Sequence, residues 1–226
     1  MTSITDYLKE NADARYAEFT GRLTPGTGYE ILGVRLPLIR SLASDILKTD
    51  ECDAFLNELP HTYREENLLH AIIVGKYSRD YSLVMQKICN FLPYIDSWEV
   101  CDLMPPKIFA KHTKEIYPQI CRLIHSDHEF TARFGIVCLM KFYLSDKVFT
   151  REIFDEICSV NSDKYYVKMA SAWFFCDALI KHFDETVPLF ENGLADKSTH
   201  NLAIKKANES YRLNETQKNY LKNLKR

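Results

Sequence analysis

Apolar positions recur along this chain at three- and four-residue intervals, broken only by short polar stretches. Such a period puts one apolar stripe on each helix and predicts helices in series. The first is expected over roughly Ile4 to Leu23, followed by a turn in TPGTGYEILG, then RLPLIRSLASDILK, a short helix around Cys52 to Glu58, YREENLLHAIIVGKY and DYSLVMQKICNFL. Beyond YIDSWEVCDLMPPK the pattern resumes in KEIYPQICRLI, HEFTARFGIVCLMKFYL, TREIFDEICSV, KYYVKMASAWFFCDALIKHF, TVPLFENGL, THNLAIKKANESYRL and NETQKNYLKNLK. Only 7 glycines and 8 prolines punctuate the chain, and they fall between these segments. Ser97, Thr113, Asp127, Ser162 and Thr199 stand where helices should begin, because their short side chains can accept the first orphan N–H groups.

The predicted helices pair. A short helix, a tight turn and a longer helix recur over 80–92 with 97–111, 113–124 with 128–144, 149–160 with 163–182 and 185–192 with 199–211. Units of this kind are the mark of a helical solenoid of the HEAT or armadillo sort. The expected class is therefore all-α, a curved HEAT-like array of antiparallel helix pairs forming a single domain over residues 1–226. Asp102, Arg133 and Trp173 fall in the second helices of successive pairs, which in such an array would turn them toward one groove.

Composition narrows the function classes. The chain has 226 residues, 46% hydrophobic and 27% charged, enough for a sizeable core. No run of about twenty apolar residues suggests a membrane span. The opening MTSITDYLKENADARY carries acids where a secretory or mitochondrial leader would not, so a cytoplasmic protein beginning here is expected. The 7 cysteines are odd in number, lie far apart and form no CxxC pair, so they read as reduced core residues. His125 and His128 lack a nearby cysteine, and no metal or other cofactor is expected. A formal net charge of -2 speaks against a general electrostatic nucleic-acid binder but leaves room for a local basic surface.

The chemistry has few places to reside. No phosphate-binding glycine loop, nucleophile elbow or zinc spacing is present. In YIDSWEVCDLMPPK, Trp98 and Asp102 are four residues apart and share a helix face, while Pro105 and Pro106 should end the helix just beyond them. A carboxylate beside a helix break is well placed to meet a ligand, although a core tryptophan next to a solvated aspartate would give the same pattern. Arg133 lies in an apolar helix and needs a carboxylate, a phosphate or water for its charge. Trp173 fits either a site or the core. The start of STHNLAIKKANES, with Thr199, His200, Lys205 and Lys206, reads as a basic helix N-terminus able to cradle a phosphate, and Arg35 and Arg40 offer a second backbone contact. Solvated surface positions are the plainer reading of these residues.

EILGVRLPLIRSLA, REENLLHA, YIDSWEVCDLMPPKIF, FTARFGIVCLMKFYL, YYVKMASAWFFCDALIK and THNLAIKKANES, in that order, resemble the AlkD family of DNA alkylation repair proteins from about residue 29 to the C-terminus. The resemblance implies a HEAT-like solenoid acting as a DNA glycosylase. Its substrates would be positively charged 3-alkyl and 7-alkyl purines in duplex DNA, excised in base excision repair without base flipping. It further implies that Asp102 is the catalytic carboxylate, Trp98 and Trp173 its indole partners, and Arg133 a residue beside the DNA backbone. The TGRLTPGTGYEILGVR segment departs from the family's N-terminal helices. The expected partner is duplex DNA containing alkylated bases, met by a monomer, since a lesion has no two-fold symmetry. A non-catalytic nucleic-acid-binding or protein-interaction solenoid that retains the scaffold is the alternative.

Overall fold

The computed structural model describes residues 3–194 and 196–226. Among them there are fourteen α-helices, two short 3-10 segments and no β-strand, only an isolated bridge between Glu30 and Tyr63. The chain is all-helical, as its apolar period predicts. Its residues pack into two compact units, the first running to Lys111 and the second starting at His112.

The first unit contains α1 (Ile4–Glu10), α2 (Ala14–Leu23), α3 (Leu36–Ile46), α4 (Glu51–Asn57), α5 (Arg64–Val74), α6 (Tyr81–Phe91) and α7 (Trp98–Leu103). The single helix expected over 4–23 is two helices. Asp13 breaks it, because its carboxylate accepts the N–H groups of Arg15 and Tyr16 as the N-cap of α2, while its own N–H donates to the Leu32 carbonyl at 3.1 Å. Gly33 makes that close approach feasible. Its φ is +82°, and a Cβ there would lie 2.1 Å from the Asp13 carbonyl oxygen and 2.6 Å from the Ala17 nitrogen.

At the centre is α5, packed against α3, α4, α6 and α7 and buried at every residue. Its later turns are apolar core, but its first turn buries charge. Glu65, 0% exposed, accepts the N–H groups of Leu32 at 3.0 Å and Gly33 at 2.9 Å. Glu66 accepts the N–H groups of Thr62 and Tyr63, each at 3.0 Å, and the Thr5 hydroxyl at 2.7 Å. Those two carboxylates tie the loop before α3, the start of α5 and α1 together. Further along α5, His70 is sandwiched in an aromatic column: its ring stacks 3.8 Å from that of Phe91, its Nδ1 meets His61 Nε2 at 2.9 Å, and His61 stacks on Phe55 at 4.7 Å.

The second unit contains α8 (Thr113–Leu123), α9 (Glu129–Tyr143), α10 (Glu152–Cys158), α11 (Tyr165–Lys181), α12 (Phe183–Asn192), α13 (Lys197–Glu209) and α14 (Glu215–Asn223). Of the predicted pairs in this unit only α8 with α9 packs as expected; α10 packs on α9 rather than α11, α12 packs on α11 rather than α13, and the longer helices α9, α11 and α13 pack in sequence on one another. Twelve of the fifteen residues of α9 are buried, so it is an interior helix rather than an amphipathic surface one. The helix starts differ from expectation. The N-caps are His112, His128, Lys164 and Asp196 rather than Thr113, Asp127, Ser162 and Thr199, and Ser97 holds its expected position before α7 without a side-chain capping bond. None of the seven cysteines forms a disulfide; Cys89 and Cys158 are exposed rather than in the core.

Two outcomes test this packing. Gly33→Ala should destabilise the protein by about 3 kcal/mol or more, since neither contact is the yielding end of a side chain, and urea denaturation measures it. Burial holds His61 down to about 4 and His70, with His61 and Lys87 adding to the effect, down to about 2. Both are neutral in the fold and become protonated on unfolding below about pH 6.5, so stability is full above that pH and falls as pH drops toward 4. Each histidine should cost about 2 kcal/mol by pH 5. Urea midpoints at pH 7 and pH 5 should show a dependence in His70→Asn shallower by about one proton.

Candidate functional site

Helix α7, with the sequence WEVCDL, is where the first unit presents an indole and a carboxylate together. Val100 and Cys101, at 1% and 0% exposure, turn into the unit, which leaves Trp98, Glu99 and Asp102 half-buried on its outer flank. The helix ends at Leu103, and Pro105 and Pro106 follow, so the expected break is in place. Trp98 is not simply core. Its Nε1–H donates to the Leu23 carbonyl at the end of α2, at 3.0 Å.

Neighbouring residues stitch the same loop to α7. Asp96 accepts the Gly28 N–H at 2.6 Å and the Thr27 hydroxyl at 2.9 Å, and the Tyr29 hydroxyl donates to the Tyr94 carbonyl at 2.8 Å. Glu99 pairs with Arg64, the first residue of α5, whose guanidinium is 2% exposed and also lies 3.6 Å from Glu65. Sequence reasoning passed over Asp96, Glu99 and Arg64. The signal available for the last was a run of four polar residues, REEN, at the head of an apolar helix.

The remaining candidates of the first unit are simple to place. Arg35 is exposed, pairs with Asp13 at 3.1 Å and lies with its guanidinium carbon 4.0 Å from the Tyr16 ring centre. Arg40 projects from α3 into solvent and pairs with no described residue.

In the second unit, Arg133 is 4% exposed within α9, and its Nη1 donates to the Tyr166 carbonyl at 3.2 Å. Its environment is polar at that end, because Glu129 accepts the Tyr166 N–H at 2.6 Å. Trp173 stands half-buried in α11 between the fully buried Ala172 and Phe174. Thr199 and His200 are turned inward. Thr199 donates its N–H at 2.7 Å and its hydroxyl at 2.6 Å to Asp196, and His200 donates from Nε2 to the Leu224 carbonyl at 2.8 Å. The helix begins at Lys197, so Lys205, exposed, and Lys206, half-buried, lie in its third turn rather than at its N-terminus. That N-terminus already holds the carboxylate of Asp196. Burial pushes its pKa up, but the bonds from Ser198 and Thr199 outweigh this and hold it well below the usual carboxylate range. A cavity of about 560 Å³ in this unit is walled by Val167, Lys168, Ser171 and Phe175 of α11, with Asp196 and Thr199, and Trp173 is not among its lining residues.

An all-helical protein with a carboxylate and an indole at a proline-terminated helix is the class these features define. The family model for DNA alkylation repair enzymes matches residues 4–209, across both compact units, and the chain belongs to that family. Among curated proteins no match to the chain is found. Membership carries a role in DNA repair and makes DNA the partner. No described helix is long and apolar enough to cross a membrane.

The two tryptophans provide a direct check on the geometry. The indole N–H of Trp98, held by the Leu23 carbonyl, should exchange with solvent more slowly than that of Trp173. Hydrogen exchange followed by NMR, with the two resonances assigned through Trp173→Phe, measures the difference, and equal rates would contradict the Trp98 bond.

Proposed function

We propose that the protein is a DNA glycosylase that releases positively charged 3-alkyl and 7-alkyl purines from duplex DNA, with Asp102 as its catalytic carboxylate. The observation that carries this reading is the pairing of Asp102 with Trp98 on one half-buried flank of α7, just before Pro105 and Pro106, in a chain of the DNA alkylation repair family.

The reaction needs few groups. A purine alkylated at N3 or N7 carries a positive charge and leaves as a neutral base, so no general acid is required at the leaving group. The difficulty lies in the sugar, which becomes cationic at C1′ as the glycosidic bond breaks. A fixed carboxylate at that point stabilises the oxocarbenium-like state, and the face of an indole adds cation attraction. The same carboxylate orients or deprotonates the water that completes hydrolysis, a division of labour familiar from glycoside hydrolysis. Because selectivity comes from the charge of the leaving group, the base need not be extruded into a reading pocket, unlike in most glycosylases. Trp173 and Arg133 enter the reading as the indole partner and backbone contact implied by the family resemblance. Lys205, Lys206, Arg35 and Arg40 enter it as phosphate contacts, whereas the buried Thr199 and His200, bonded inside the fold, do not.

Asp102→Asn keeps the size of the side chain and removes its charge. It should lower the single-turnover rate of 7-methylguanine release by about 100-fold or more, the scale of losing one electrostatic stabiliser of a transition state, while duplex affinity changes by less than about 2-fold. Free-base release by chromatography and binding by fluorescence anisotropy measure the two. A variant as fast as the parent would remove Asp102 from the mechanism. Substituting Lys205 or Lys206 should instead weaken binding to all duplexes and flatten its salt dependence by about one counterion each.

A further inference from the structure

We propose that Arg64 and Glu99 are positioning residues for this reaction: their ion pair fixes the rotation of α7 about its own axis and so aims the Asp102 carboxylate. The inference rests on the role given to Asp102 above and extends it to residues that touch neither substrate nor reacting atoms.

Helix α7 is six residues long. A helix of that length closes few internal hydrogen bonds and is marginal on its own. Ser97 adds no side-chain cap, and Pro105 and Pro106 withhold the donors that would lengthen it. Its orientation therefore comes from outside. The burial of Val100 and Cys101 selects which face of the helix turns inward, but apolar burial is non-directional and leaves the finer rotation loosely set. The Trp98 bond ends on a backbone carbonyl at the exposed Leu23.

Arg64 is different in kind. Its side chain is 2% exposed, grows from the first residue of the fully buried α5, and is flanked by Glu65, which two backbone N–H groups hold in place. A planar guanidinium in such a setting presents its donors in a fixed direction. Glu99 meets that fixed point, and stands three residues before Asp102 on the same turn and one residue after Trp98. Side chains sit about 5–6 Å from a helix axis, so a rotation of ~10° carries a carboxylate about 1 Å. A displacement of that size can cost about 100-fold in rate. Buried ion pairs are, besides, weak stabilisers compared with apolar residues of the same volume. What this pair contributes that an apolar pair cannot is direction.

The test compares wild type, Glu99→Gln, Arg64→Lys and Arg64→Met at a temperature well below every melting midpoint. Three quantities are read: single-turnover release of 7-methylguanine, duplex affinity, and Trp98 fluorescence in a Trp173→Phe background. Glu99→Gln should slow release about 10- to 100-fold with duplex affinity within about 2-fold of wild type and with a shifted Trp98 emission. Arg64→Lys, which keeps the charge but not the fork, should fall between wild type and Arg64→Met. Arg64→Met leaves Glu65 buried without its cation and can fail to fold, which is why the partly exposed Glu99 carries the decision. Wild-type release and emission in a folded Glu99→Gln would make the pair structural only and overturn the proposal. If the wild type itself releases no base, the reading of Asp102 fails separately. The emission of Trp98 then decides positioning on its own: a shift supports the fixed rotation of α7 and no shift overturns it.

Discussion

The first unit depends on charge buried at the head of α5. Glu65 is wholly inside the protein and binds the two backbone N–H groups of Leu32 and Gly33, while Arg64 beside it reaches Glu99 on α7. Without these acceptors the tight passage of the loop over α2, where Gly33 touches the backbone of Asp13 and Ala17, would leave buried donors unpaired. The loop then continues the chain of dependence. Through Thr27, Gly28 and the Leu23 carbonyl it holds Asp96 and Trp98, and with them the start of the helix that carries Asp102.

That construction suits a reaction with one demanding requirement. Loss of a cationic base needs neither a metal nor an acid from the protein, only an anion held still where the sugar turns positive. A short helix is a poor holder by itself. One whose flank is fixed by an indole hydrogen bond and a buried guanidinium is a better one, and in the proposed reaction it would hold the carboxylate in position before the substrate arrives, so that no reorganisation is spent in the transition state.

How much of this was legible in the sequence differs from element to element. The helical period exposed the all-α class and the pairing of α8 with α9, because those segments bury stripes of Ile, Leu and Phe at regular spacing. The turn after Asp102 was equally plain, since two prolines admit few other readings. The break between α1 and α2 was not, because apolar residues keep their helical spacing across Asn11 to Asp13 and only the distant Leu32 carbonyl reveals what Asp13 does. The same applies to Thr199: its hydroxyl suits a cap, but Asp196 lies three residues earlier and binds its N–H, which moves the helix start and takes Lys205 and Lys206 into the third turn. The supporting groups of α7 left no trace in the sequence beyond the polar run REEN, for a related reason. Arg64, Glu65 and Glu99 are ordinary surface residues by type, and the burial of the first two beside a half-buried Glu99 follows from tertiary packing that local pattern does not encode.

The central claim is that excision at Asp102 is driven by the charge of the leaving base. The most direct measurement compares release of base from two duplexes that differ at one position, 7-methylguanine in one and its uncharged 7-deaza-7-methyl analogue in the other, of nearly identical shape. The account predicts steady release of the first and none above background of the second. Comparable release of both, or of neither, would contradict it.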